Sequence, residues 1–132
     1  MLNDDLNLKK YDVAVCFGLM HHVPSAELRQ KLLDELVKCC DVAIVSFWQF
    51  EKDERIFKKA QETTKIAQEK LELQALEEDD YFLSWQDRTD TFRFCHNFKD
   101  EEINKIKLRY NCQSDFCTDG GSDRLNRYVV LD

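Results

Sequence analysis

Tyr11 to Gln30 reads YDVAVCFGLMHHVPSAELRQ, and how this stretch is interpreted decides the fold. Residues 12–17 form a short, mostly apolar run, and DVAIVSF at Asp41–Phe47 forms a second of the same kind. Runs of this length with little polar alternation predict strands buried on both faces, as in a parallel sheet. Between them lies PSAELRQKLLDELVKCC, in which Leu28, Leu32 and Leu36, with Leu33, Val37 and Cys40, recur at helical spacing behind Ser25, a residue suited to cap the first turn. Strand, helix and strand at this spacing predict a right-handed βαβ unit.

Outward from that unit the pattern changes. The charged stretch from Glu51 to about Glu78 keeps Ile56, Ala60, Ala67 and Leu71 on one side, which predicts one or two amphipathic helices lying over another layer. The acidic run Glu77–Asp80 ends it. The aromatic stretch YFLSWQDRTDTFRFCHNF predicts an extended segment or hairpin, followed by a helix from about Asp100, as N-cap, through Ile103 and Ile106. YNCQSDFCT, a DGGSD turn and NRYVVLD then predict a closing antiparallel hairpin.

Composition narrows the function classes. A chain of 132 residues fits one domain, and 43% hydrophobic residues support a folded core. The formal net charge of −7 argues against a broad basic field gripping nucleic acid, without excluding nucleic acid. Six cysteines, Cys16, Cys39, Cys40, Cys95, Cys112 and Cys117, fall in predicted strands and helices with no secretory leader before them, so reduced, packed thiols in a cytoplasmic protein are expected. No CxxC pair occurs, and Cys112, Cys117 and His96 lack a fourth well-spaced ligand, so no metal site is expected. No apolar run approaches the roughly 20 residues that span a bilayer.

Three stretches together resemble the C-terminal half of a class I S-adenosylmethionine-dependent methyltransferase. NDDLNLKKYDVAVCFGLMHHV is similar to that family's acidic loop, strand and double-histidine lip. DVAIVSFWQF resembles the next core strand and its exit, although Lys38-Cys39-Cys40-Asp41 stands where the family usually has an Arg-Pro-Gly-Gly turn. DDYFLSW, RFCHNF and NRYVVL resemble the branch containing wobble-uridine tRNA carboxymethyl methyltransferases. The resemblance implies an α/β, partial Rossmann-like fold: parallel strands, a C-terminal antiparallel hairpin, helices on the faces and a helical cap insertion. It divides a single partial domain into a cofactor-side βαβ unit at 1–50, a helical and aromatic cap at 51–98, and a helix with closing hairpin at 99–132.

The same resemblance implies site residues. Asp4 takes the position of the adenine or ribose contact, or is an ordinary turn acid, and Asp5 and Leu6 help through backbone and shape. Phe17, Gly18 and Leu19 leave the strand where the family approaches the methionine part of the cofactor, and His21 lines the pocket while His22 supports the helix start. Adjacent histidines point in different directions and do not form the i, i+4 pair of a metal site. Neither histidine need act as a base, since methyl transfer from a sulfonium mainly needs alignment. Arg93 suits a carboxylate or phosphate and His96 a polar orienting role, while Trp48, Tyr81 and Trp85 either stack a base or form the cap's small core.

One part of the family pattern is not found. The chain has three glycines, Gly18, Gly120 and Gly121, and no glycine-rich cofactor loop following a strand. The strand at 12–17 would therefore stand as an apolar edge without charges or proline to protect it. The expectation is a partner there: the missing N-terminal half, a second chain, or a second copy through that edge. Two functions compete: methyl transfer from S-adenosylmethionine to a tRNA wobble uridine or a small molecule, with weak or no cofactor binding by the chain alone, and a non-catalytic interaction module. A dinucleotide-dependent oxidoreductase is disfavoured, because its glycine fingerprint is equally absent.

Overall fold

The computed structural model describes residues 10–72, 76–86, 88 and 90–132. Strand β1 (Tyr11–Cys16) leads through a single 3-10 turn (Met20–His22) into helix α1 (Ala26–Cys39) and then strand β2 (Cys40–Trp48). A second 3-10 turn (Phe50–Lys52) precedes helix α2 (Glu54–Leu71), and β3 (Asp80–Ser84) and β4 (Phe92–His96) follow. Helix α3 (Asp100–Arg109), β5 (Cys112–Thr118) and β6 (Asn126–Leu131) close the chain. The main sheet has the order β1-β2-β6-β5, and β3 and β4 form a separate antiparallel pair.

The βαβ unit forms as its sequence predicts. β1 and β2 run parallel, with Val13 beside Val42 and Val15 beside Ile44. Ser25 caps α1, its Oγ accepting from the Leu28 amide at 3.2 Å. β6 then inserts antiparallel between β2 and β5, so the predicted hairpin extends the sheet beyond β2. In its turn, Gly120 has φ +73° and a Cβ there would meet the Leu125 Cβ at 2.9 Å, so both conformation and space require glycine.

One face of this sheet is the core. Cys16, Ala43, Val45, Phe47, Val129 and Leu131 point into it and meet Leu33 of α1, Ile103 and Ile106 of α3, and Met20 and Phe98 from the connections. The other face corrects the expectation that β1 is buried on both sides. Tyr11, Val13 and Val15 are 53%, 54% and 58% exposed, and Phe17 and Phe116 are similarly open. The register carries this face across the sheet through Val42 and Ile44 to Val130 and Tyr128, all half-buried. An apolar run specifies two faces able to be buried. The described helices α1 and α3 both pack on the same one.

Helix α2 and the β3–β4 pair build a second small core. Asp53 caps α2, accepting from the Ile56 amide at 3.1 Å, and Ala60, Thr63 and Ala67 form its buried stripe. Small side chains let α2 approach β3, where Thr64 Oγ1 accepts from the Phe82 amide at 2.9 Å. Trp48, Phe50, Ala60, Leu83 and Cys95 fill the space between. Asp100 does not cap α3 as predicted; Lys99 holds that position without a side-chain bond. The Asp100 carboxylate is instead taken by Gln49 at 2.8 Å, Lys52 at 3.0 Å and Arg127 at 3.1 Å. All six cysteines are free thiols, with Cys16, Cys39, Cys40 and Cys95 buried. Among the described residues no helix is long and apolar enough to cross a membrane.

Candidate functional site

The carboxyl ends of the parallel strands β1 and β2 lie side by side, and the chain leaves β1 through Phe17, Gly18 and Leu19. Gly18 adopts φ +67°, and a Cβ placed there would meet nothing within 4 Å, so the position needs glycine for its backbone angle and leaves open space beside it. Its amide donates to Ser46 Oγ at 3.1 Å, tying the exit of β1 to β2. Leu19 then starts the 3-10 turn, whose Met20 is fully buried and anchors it in the core.

The two histidines of the turn diverge, as adjacent residues must. His22 Nδ1 donates to the Phe94 carbonyl at 2.9 Å, which ties the turn to β4. His21 packs against Trp48 with ring centroids 4.7 Å apart and is only 8% exposed. Burial, reinforced by His22 and the Arg93 charge, pushes its pKa down to about 3, so the ring is neutral at ordinary pH. Its Nδ1 is buried without a hydrogen-bond partner. Buried Cys95 lies beside this pair, its thiol pushed up to about 12 by burial and therefore protonated.

Beyond Trp48 the same layer continues to Arg93 on β4. The guanidinium sits between two indoles, 5.9 Å from the Trp48 ring and 5.4 Å from that of Trp85, and its Nε is buried without a partner. A groove of about 740 Å³ opens here between β3–β4 and the first turns of α2, with Trp48 and Arg93 in its wall. Arg55 and Lys58 of α2 line the opposite side. The apolar stripe of the charged stretch says nothing of these two cations, and the sequence reading passes over them; their i, i+3 spacing is the signal that finds them.

The structure thus brings His21, Trp48, Trp85 and Arg93 together, whereas Phe17 packs edge-on to Tyr128 at 5.6 Å and Gly18 is tied to Ser46. Tyr81 shares the strand face of Arg93 but lies in the cap core, edge-on to Phe50 at 5.5 Å and Phe57 at 5.7 Å. His96 is not brought to the groove. It lies on the opposite face of β4, pairs in register with Asp80, and is held by Asp80 Oδ1 at 2.7 Å and Glu102 Oε2 at 2.8 Å. Burial alone would lower its pKa, but the hydrogen bonds its ring donates to Glu102 and Asp80 together outweigh it and raise the value. Asp4, Asp5 and Leu6 lie outside the described residues. Among the described residues no group of three or more His, Cys, Asp or Glu is placed to hold a metal ion.

The chain is thus a mixed α/β sheet with helices packed on it and a groove beside the carboxyl end of β2. A solved structure carries that fold: the crystal structure of a SAM-dependent methyltransferase from Methanosarcina mazei superposes with a TM-score of 0.68 at 14% sequence identity. The match covers 96% of this chain and 61% of that one, so the chain spans about three-fifths of the length of its structural neighbour. No protein-family model matches the chain, and no curated protein sequence does.

Proposed function

We propose that the chain is the acceptor-side part of an S-adenosylmethionine-dependent methyltransferase. The observation that carries this reading is the lip: the exit Phe17-Gly18-Leu19, pinned to β2 through Ser46, leads directly to His21, Trp48 and Arg93 in one layer. Ligands of open α/β sheets bind at the carboxyl ends of the strands, which is where this lip lies. The open space at Gly18 and the unpartnered His21 Nδ1 fit a bound polar group there. Phe17, Gly18, Leu19 and His21 would hold the methionine side of the cofactor, with Asp4, Asp5 and Leu6 on its adenosine side. The cofactor, when bound, supplies an electrophilic methyl group on a sulfonium. The chain's own residues align the acceptor, for which a tRNA wobble uridine is the finer reading, suggested by the Arg93-Phe94-x-His96-x-Phe98 pattern.

The reading includes a partner. Further polypeptide carrying a glycine-rich strand and loop would complete the sheet beside β1 and cover its open face. Calorimetric titration of S-adenosylmethionine tests this, using the chain alone and the chain completed by such a methyltransferase half. Micromolar binding in the completed form only is expected. Micromolar binding by the chain alone would refute the need for completion. No binding in either form would favour the second reading, a non-catalytic interaction module, to which the exposed apolar face lends support.

A further inference from the structure

We infer that the groove between α2 and β4 binds a phosphate group. Its wall contains Arg55 and Lys58 from α2 and Arg93 from β4, with Lys59, which has a partner of its own, and the acid Glu62 beside them. That local balance is the reverse of a chain whose formal net charge is −7, so the cations are concentrated here against the overall trend. No salt bridge engages Arg55 or Lys58 among the described residues. Arg93 lies over the Trp48 and Trp85 rings with its Nε buried and unpartnered, and a buried donor without an acceptor is costly.

A carboxylate is satisfied by one arginine fork. Several cations converging from two walls suit the larger charge and extra acceptor oxygens of a phosphate. The groove adjoins the lip through Trp48, so the phosphate belongs to the methyl acceptor; naming the ligand an acceptor rests on the methyl-transfer reading, while the phosphate chemistry does not. It comes either from a phosphate monoester or from the phosphodiester of an oligonucleotide.

The chain has two tryptophans, and both flank Arg93, so intrinsic fluorescence reports on the groove directly. The experiment titrates the chain with a nucleoside 5′-monophosphate, a short oligoribonucleotide and the unphosphorylated nucleoside. A saturable change is expected with one or both phosphorylated probes, the tighter of the two identifying the source. Binding should weaken about tenfold in the Arg55→Gln/Lys58→Gln variant, because two charge-assisted contacts are lost. Both positions are exposed, and circular dichroism checks that the variant keeps its fold. Equal binding of the nucleoside, unchanged affinity in the variant, or no saturable response to either phosphorylated probe would overturn the inference. Phosphate binding with no cofactor binding in the completed form keeps the groove and removes methyl transfer. Cofactor binding without phosphate binding does the reverse.

Discussion

Two buried histidines place opposite demands on the proton. His21 is neutral in the folded chain, with its pKa depressed to about 3 from the ordinary 6.5. Its contribution is fully present above the unfolded value and is lost as pH falls toward 3, because the unfolded chain then binds a proton that the folded chain refuses. The loss amounts to about 1.4 kcal/mol for each pH unit in that window. His96 is raised, and both of its ring nitrogens face carboxylate oxygens, which requires both to carry protons unless a carboxylate does. Its contribution is present below the unfolded value and is lost as pH rises through the folded one. Urea unfolding from pH 4 to 9 should therefore show His21→Gln flattening the acid limb and His96→Gln the alkaline limb of the stability profile. Equal effects of both variants at all pH values would contradict these assignments.

At the scale of elements, the βαβ unit is legible in the sequence because three independent signals agree: two apolar runs, a helical stripe and Ser25 as its cap. The exposure of one face of β1 is not. The sequence of Tyr11, Val13 and Val15 states that this face is apolar, while only the packing of α1 and α3 states which face is covered. A shared motif groups Arg93 with His96, yet positions three apart on a strand lie on opposite faces, and that parity separates the groove from the Asp80–His96–Glu102 cluster. The α2 boundary depends on Asp53, whose carboxylate accepts from Ile56. Asp53→Ala should destabilise the fold by about 1 kcal/mol, measured by denaturant unfolding, since a helix amide loses its acceptor. α2 also carries Arg55 and Lys58, so the same variant should weaken phosphate binding by fraying the first turn.

For the whole molecule, the four-stranded sheet has two outer strands, β1 and β5, among the described residues. β1 is the more apolar of the two, with Tyr11, Val13 and Val15 exposed on one face beside its unpaired edge. We propose this apolar face and unpaired edge as a contact surface, because both the exposed area and the unpaired backbone groups gain by pairing. Sedimentation velocity over a range of concentrations, comparing the chain with a Val13→Lys/Val15→Lys variant, tests this most directly. Association above the 15.7 kDa of one chain is expected to rise with concentration and to be abolished in the variant. A stable monomer at high concentration, with the same profile in both proteins, would contradict it.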